Sequence, residues 1–181
     1  MADVHSVEIR RRNMSAIRSS NTAPELILRQ ALFRLGFRYR VHDRKLRGRP
    51  DLVLRRYRAV VFVHGCFFHG HECTAFRWPA TRERFWRQKI DGNRRRDTET
   101  VRVLRSTGWR VLIVWECALR GRSKIGIEET ARRSAVWLRS NKSIGLITES
   151  RGGMTAHQAR RCRGHHPPST RQTSRPGPQG G

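Results

Sequence analysis

Residues 49–73, RPDLVLRRYRAVVFVHGCFFHGHEC, set two short apolar runs beside Asp51, three histidines and two cysteines. Positions 52–54 and 59–63 are rich in valine and are separated by the polar run 55–58. This is the pattern of two adjacent strands, at least one of them buried. Pro50 and Asp51 open the first run, and His64 and Gly65 close the second. Strands paired in this way bring a carboxylate and an imidazole together at one end of a sheet, and the remaining segments have to build around that meeting.

Those segments supply the other layers. Thr22 precedes Glu25 at the spacing of a capping box and opens a helix expected over 23–35. Its apolar face would be Leu26, Ile27, Ala31, Leu32 and Leu35, with Gly36 as the stop. Residues 37–41 alternate Phe, Tyr and Val with arginine, as a third strand would. Segments 81–90 and 94–106 read as two helices, the second burying Val101, Val103 and Leu104 while Asp97 and Glu99 face out. The run 109–115, WRVLIVW, is continuously apolar and reads as a central strand covered on both faces, and 127–138 reads as a last amphipathic helix. Taken in order, these elements make an α/β sandwich with a mixed sheet.

Charge narrows the partner. The net charge of +25 rests on 35 Arg and 4 Lys; the bias to Arg suits forked phosphate recognition and equally follows from a codon-biased genome. The positive excess itself points to a polyanion, nucleic acid first and a membrane surface second. No apolar run approaches the roughly 20 residues of a membrane span, and the first residues lack a secretion signal, so a cytoplasmic protein is expected. Residues 1–22 read as a basic arm and 23–150 as the folded domain. Residues 151–181, with six arginines and no acid, read as a disordered basic tail.

The four cysteines are better suited to metal ligation or burial than to disulfides in that compartment. Cys66, His71 and Cys73 lie within eight residues, and Cys117 follows the apolar strand. Together they can close a tetrahedral zinc site; the alternative is that Cys66 and Cys117 are buried thiols. Asp51, His64 and His69 remain as catalytic candidates, a carboxylate for Mg2+ and an imidazole to take a proton from water. The plainer alternative is a turn-capping Asp51 and surface histidines.

The elements N-M-S-x-I, N-T-x-P-E-L, G-R-P-D-L-V, V-F-V-H-G-C-F-F-H-G-H-x-C, P-x-T-R-x-x-F-W, K-I-x-x-N-x-x-R-D and G-W-R-V-L-I-V-W-E-C-A-L run in unbroken order from Asn13 to Leu138. In them the chain resembles the very short patch repair (Vsr) DNA mismatch endonucleases. The resemblance implies a restriction-endonuclease-like fold, a mixed central sheet flanked by helices with a structural zinc site. It implies a Mg2+-dependent enzyme that nicks duplex DNA 5′ of the thymine in T:G mismatches left by 5-methylcytosine deamination. It also implies a monomer, with other mismatch-repair proteins as further partners. Carried over by position, Asp51 is the metal-binding acid, Val63 lends a carbonyl to the Mg2+ site, His69 is the general base, His64 assists at the phosphate and Glu25 is a further active-site acid. Cys66, His71, Cys73 and Cys117 match the zinc ligands, and Phe67, Phe68 and Trp86 match aromatics that wedge into the duplex. Position 68 is Phe where the family often has Trp, which keeps stacking and loses the indole donor. Two other readings compete: a zinc-stabilised DNA-binding protein without catalysis, and a nuclease of the same fold with another DNA target.

Overall fold

The continuous apolar run becomes strand β3, Arg110–Trp115, and it lies parallel to a neighbour on each side. In the computed structural model, which describes residues 20–150, a four-stranded mixed sheet has the order β1-β2-β3-β4. Strand β1 is Leu52–Leu54, β2 is Ala59–His64 and β4 is Ile144–Ile147; β1 pairs antiparallel with β2, and the other pairs are parallel. Every residue of β2 is buried, as a strand covered on both faces must be. Each Val or Leu removed from water in this way contributes about 1.5–3 kcal/mol.

Helices cover both faces. Helix α1, Ala23–Arg34, and α4, Ile127–Arg139, close over Val61, Val63, Leu112 and Val114 with Leu28, Leu32, Ala135 and Leu138. Helix α2, Glu83–Ser106, lies against Val53, Val60, Phe62 and Val111 through Leu104. A short helix α3, Glu116–Leu119, continues directly from β3. The parallel pairing of β2 with β3 sets their carboxyl ends side by side, His64 opposite Trp115, and functional side chains in such sheets gather at that edge. Among the described residues no helix is long and apolar enough to cross a membrane.

Three expectations are corrected and one strand is added. Residues 37–41 make only an isolated bridge, Arg40 to Val53, because His42 turns off at φ +48 on one side and the 3-10 turn Arg55–Tyr57 diverts β1 on the other. The two helices expected over 81–106 are one helix of 24 residues. Gly92 inside it costs only about 1 kcal/mol relative to Ala, too little to break a packed helix. Helix α1 turns a different face inward: Leu28 and Leu32 are buried beside Glu25 and Arg29, leaving Leu26 and Leu35 exposed. Strand β4 was not expected at all; its Gly145 lies under Trp137, whose indole would meet any Cβ there at 2.4 Å. Of the basic arm only Ser20–Thr22, and of the tail with Cys162 nothing, falls within the described residues.

Candidate active site and metal centre

Asp51 precedes β1 at the edge where β2 ends, and its Oδ2 accepts the Val63 N–H at 2.7 Å. Glu25 reaches the same place from the first turn of α1, and His42 from the left-handed turn after Arg40; one donor atom from each lies within 4.8 Å of the others. Glu25 is already engaged. It accepts from Arg29 at 2.8 Å, from the Asn21 N–H at 2.9 Å and from the Thr22 hydroxyl at 2.8 Å. The expected capping box is thus redirected, since both residues before α1 donate to Glu25. Arg29 also lies 2.8 Å from His42 Nε2, whose Nδ1 faces Asp51 Oδ1 at 3.9 Å. Burial pushes the Asp51 carboxyl up to about 7, aided by the charge of Glu25 and opposed by the Val63 hydrogen bond. A cation placed there would reverse that penalty, and carboxylate and carbonyl oxygens suit a hard divalent ion.

Across the same cavity, of about 750 Å3, His64 and His69 stack with ring centroids 4.0 Å apart. Burial, reinforced by His69, holds His64 down at about 3, so it is neutral at physiological pH. His69 Nδ1 lies 2.6 Å from Asp97 Oδ2. With the proton on Nδ1 directed to that carboxylate, Nε2 keeps its lone pair, the form a general base needs. Asp97 was expected to face solvent and instead faces the site. Its place follows from spacing, seven residues after Ile90 and seven before Leu104, both buried on the inner stripe of α2. The same stripe carries Asn93 and Arg94, which donate to the Phe68 and Gly70 carbonyls and hold the loop after β2.

That loop brings Cys66, His71 and Cys73 to Cys117 at the start of α3. His71 Nδ1 is 3.6 Å from Cys66 Sγ and 3.5 Å from Cys117 Sγ, and all four donors lie within 4.8 Å of one another. The loop turns tightly, with the His71 N–H donating to the Cys66 carbonyl at 2.9 Å and Gly70 at φ +61. Hydrogen bonding from Cys66 holds Cys117 down as a thiolate, with help from His71 and Thr148; the same bond pushes Cys66 up. A tetrahedral ion with bonds of about 2.3 Å to sulfur spaces its ligands about 3.8 Å apart, so this donor set fits one.

Phe67, Phe68 and Trp86 are partly buried and belong to neither core cluster. They pack on one another edge to face, Phe67 to Trp86 at 4.9 Å and Phe67 to Phe68 at 5.2 Å. The sequence reading therefore has all its site residues in one neighbourhood, in three groups: Asp51, Glu25 and Val63; His64 and His69; and the cysteine cluster with its aromatic flank. His42 and Asp97 were not anticipated.

The family model described as DNA mismatch endonuclease Vsr matches residues 2–75. The DNA mismatch endonuclease Vsr of Escherichia coli (strain K12) is 49% identical over 138 residues, covering 76% of this chain and 88% of that protein. The type II nicking enzyme V.XorIIP of Xanthomonas oryzae pv. oryzae is 43% identical over 134 residues, 74% of this chain and 96% of the relative. V.NmeAIP of Neisseria meningitidis serogroup A, also a type II nicking enzyme, is 41% identical over 123 residues, 68% and 88% of the two chains.

Proposed function

Because the chain belongs to the Vsr family of DNA mismatch endonucleases, we propose that it is a Mg2+-dependent endonuclease that nicks duplex DNA 5′ of the thymine in a T:G mismatch. The observation that carries the reading is a single cavity that holds a cation-ready carboxylate, Asp51, opposite an oriented imidazole, His69 on Asp97. We further read the fold as restriction-endonuclease-like, and the cysteine cluster as a structural zinc site.

Asp51 and the Val63 carbonyl would hold Mg2+, with Glu25 fixed beside them by Arg29 and turned to ordering the site. The chemistry supplied by Mg2+ when bound is charge neutralisation at the scissile phosphate and at the departing 3′ oxygen. His69 takes the proton of the attacking water through Nε2 while Asp97 stabilises the imidazolium that forms. His64, neutral and stacked on His69, lies where it can donate to a phosphate oxygen and limits how far the base can swing. Water adds to phosphorus and the P–O3′ bond breaks, leaving a 5′ phosphate and a 3′ hydroxyl.

Selectivity would come from deformability. Unstacking a base step costs a few kcal/mol and costs least at a mispair, so Phe67, Phe68 and Trp86 inserted beside it favour T:G over matched duplex. The surrounding arginines supply affinity that does not depend on sequence. A panel of labelled duplexes tests the function: a single nick 5′ of the mispaired T, abolished by chelation and restored by Mg2+, is expected. Equal cutting of matched duplex would point to another DNA target, and tight binding without any nick would point to a binding protein.

A further inference from the structure

The segment leaving β4 closes over the cysteine cluster. Thr148 Oγ1 lies 3.4 Å from His71 Nε2 and 3.3 Å from Cys117 Sγ. With a metal ion held between Nδ1 of His71 and the two sulfurs that it faces, the ring proton stands on Nε2 and points at that hydroxyl. One hydroxyl can then accept from His71 and donate to Cys117, which sets the tautomer of one ligand and orients the lone pairs of the other. The next residue, Glu149, is 7% exposed and directs both carboxylate oxygens to Thr74, which follows Cys73. The Thr74 amide donates to one at 2.8 Å and its hydroxyl to the other at 2.7 Å. A carboxylate is buried at this depth only against such donors, so the two bonds pin the end of the ligand loop. The Ser150 N–H, donating to the Ser123 carbonyl at 2.9 Å, anchors the far side of the same segment.

Resting on the zinc reading above, we propose that Thr148 and Glu149 form a latch, two positioning residues that hold His71 and the Cys73 end of the loop in their metal-ligating arrangement and slow the loss of zinc. They come from the segment after β4, more than 70 residues away in sequence from the loop they close. Ligand geometry here is thus set partly from outside the ligand motif. The latch also bears on the loop that carries Phe67, Phe68 and His69, because that loop runs between the ligands it steadies.

Zinc transfer from the full-length protein to a chromogenic chelator tests this, with the visible spectrum of the cobalt-substituted protein as a second readout. Thr148→Val keeps the shape and removes the hydroxyl; release about 10- to 100-fold faster than wild type is expected, with shifted cobalt bands. Thr148→Ser should restore both. Glu149→Gln keeps one acceptor and should fall between; should it fail to fold, the Thr148 pair decides by itself. A zinc-loaded wild type whose Thr148→Val variant releases metal at the same rate, with the same cobalt spectrum, overturns the latch and leaves the zinc site standing. A wild type that binds no zinc overturns both.

Discussion

Two polar clusters share the carboxyl ends of β2 and β3, and they are assembled in opposite ways. Three of the four members of the cysteine cluster come from eight consecutive residues, 66–73, and the fourth from α3, which continues directly from the adjacent strand. The cavity beside it draws on Glu25, His42, Asp51, His64, His69 and Asp97, contributed by two helices, two strand ends and two loops. In the first cluster the sulfurs and the imidazole partner one another, and Thr148 and Glu149 close it from the segment after β4. The second is held against preference, with a carboxyl driven up to about 7 beside another acid and a histidine driven down to about 3. Such strain marks sites built for chemistry, whereas closed donor sets mark sites built for stability.

Substitution in each cluster should therefore cost a different property. The largest effect is expected at Cys117, which ties the ligand loop to the central strand. A structural zinc is worth on the order of 10 kcal/mol, comparable to the whole stability of a domain. Cys117→Ser should lose zinc by elemental analysis and lose its cooperative thermal transition; a variant that melts like wild type would end the distinction drawn here.

In the cavity the fold should survive and the rate should fall. Asp97→Asn keeps the shape and removes the charge that orients His69, so kcat for nicking should drop about 10- to 100-fold, part of the roughly 10^2- to 10^4-fold that general-base catalysis supplies. Unchanged binding of T:G duplex would accompany it, and an unchanged kcat would remove Asp97 from the mechanism.

The aromatic flank sharpens the comparison, since it adjoins the cysteine cluster and should behave like the cavity. Phe67→Ala should lower discrimination between T:G and matched duplex by roughly 1–3 kcal/mol with little change in melting temperature. Phe37→Ala, at a residue 1% exposed in the core, should instead cost about 3–5 kcal/mol of stability. The reverse pattern would make Phe67 a packing residue.

A further effect is a matter of pH. The Asp51 carboxyl titrates near 7 in the folded chain against 3.8 ordinarily, so the folded state holds a proton between those values. Its contribution to stability is complete below about 3.8 and is lost as pH rises through about 7. In Mg2+-free buffer the melting-temperature gain of Asp51→Asn over wild type should grow from pH 4 to pH 7 and level off above. A gain that does not vary with pH would show that burial does not raise this carboxyl.

Legibility in the sequence follows the same division. Strands β2 and β3 show in their valine runs, and the cysteine cluster shows because its ligands are local. His42 left no trace, since it reaches Asp51 through a single left-handed residue at φ +48, which no periodicity records. Asp97 was recoverable from its seven-residue spacing to Ile90 and Leu104, but a charged residue on an arginine-rich helix reads first as solvated. The face of α1 was misread because Glu25 and Arg29, both buried, take places that an apolar count assigns to Leu26 and Leu35. Strand β4 is four residues long with Gly145 inside it, and only the overlying Trp137 explains why that glycine is there.

Zinc content and Mg2+-dependent nicking of a T:G duplex, measured on one preparation of Asp51→Asn, test most directly whether the two clusters are separate devices. One zinc per chain, retained mismatch binding and no detectable nick are predicted. A preparation that still nicks near the wild-type rate, or that loses its zinc together with its activity, would contradict the separation.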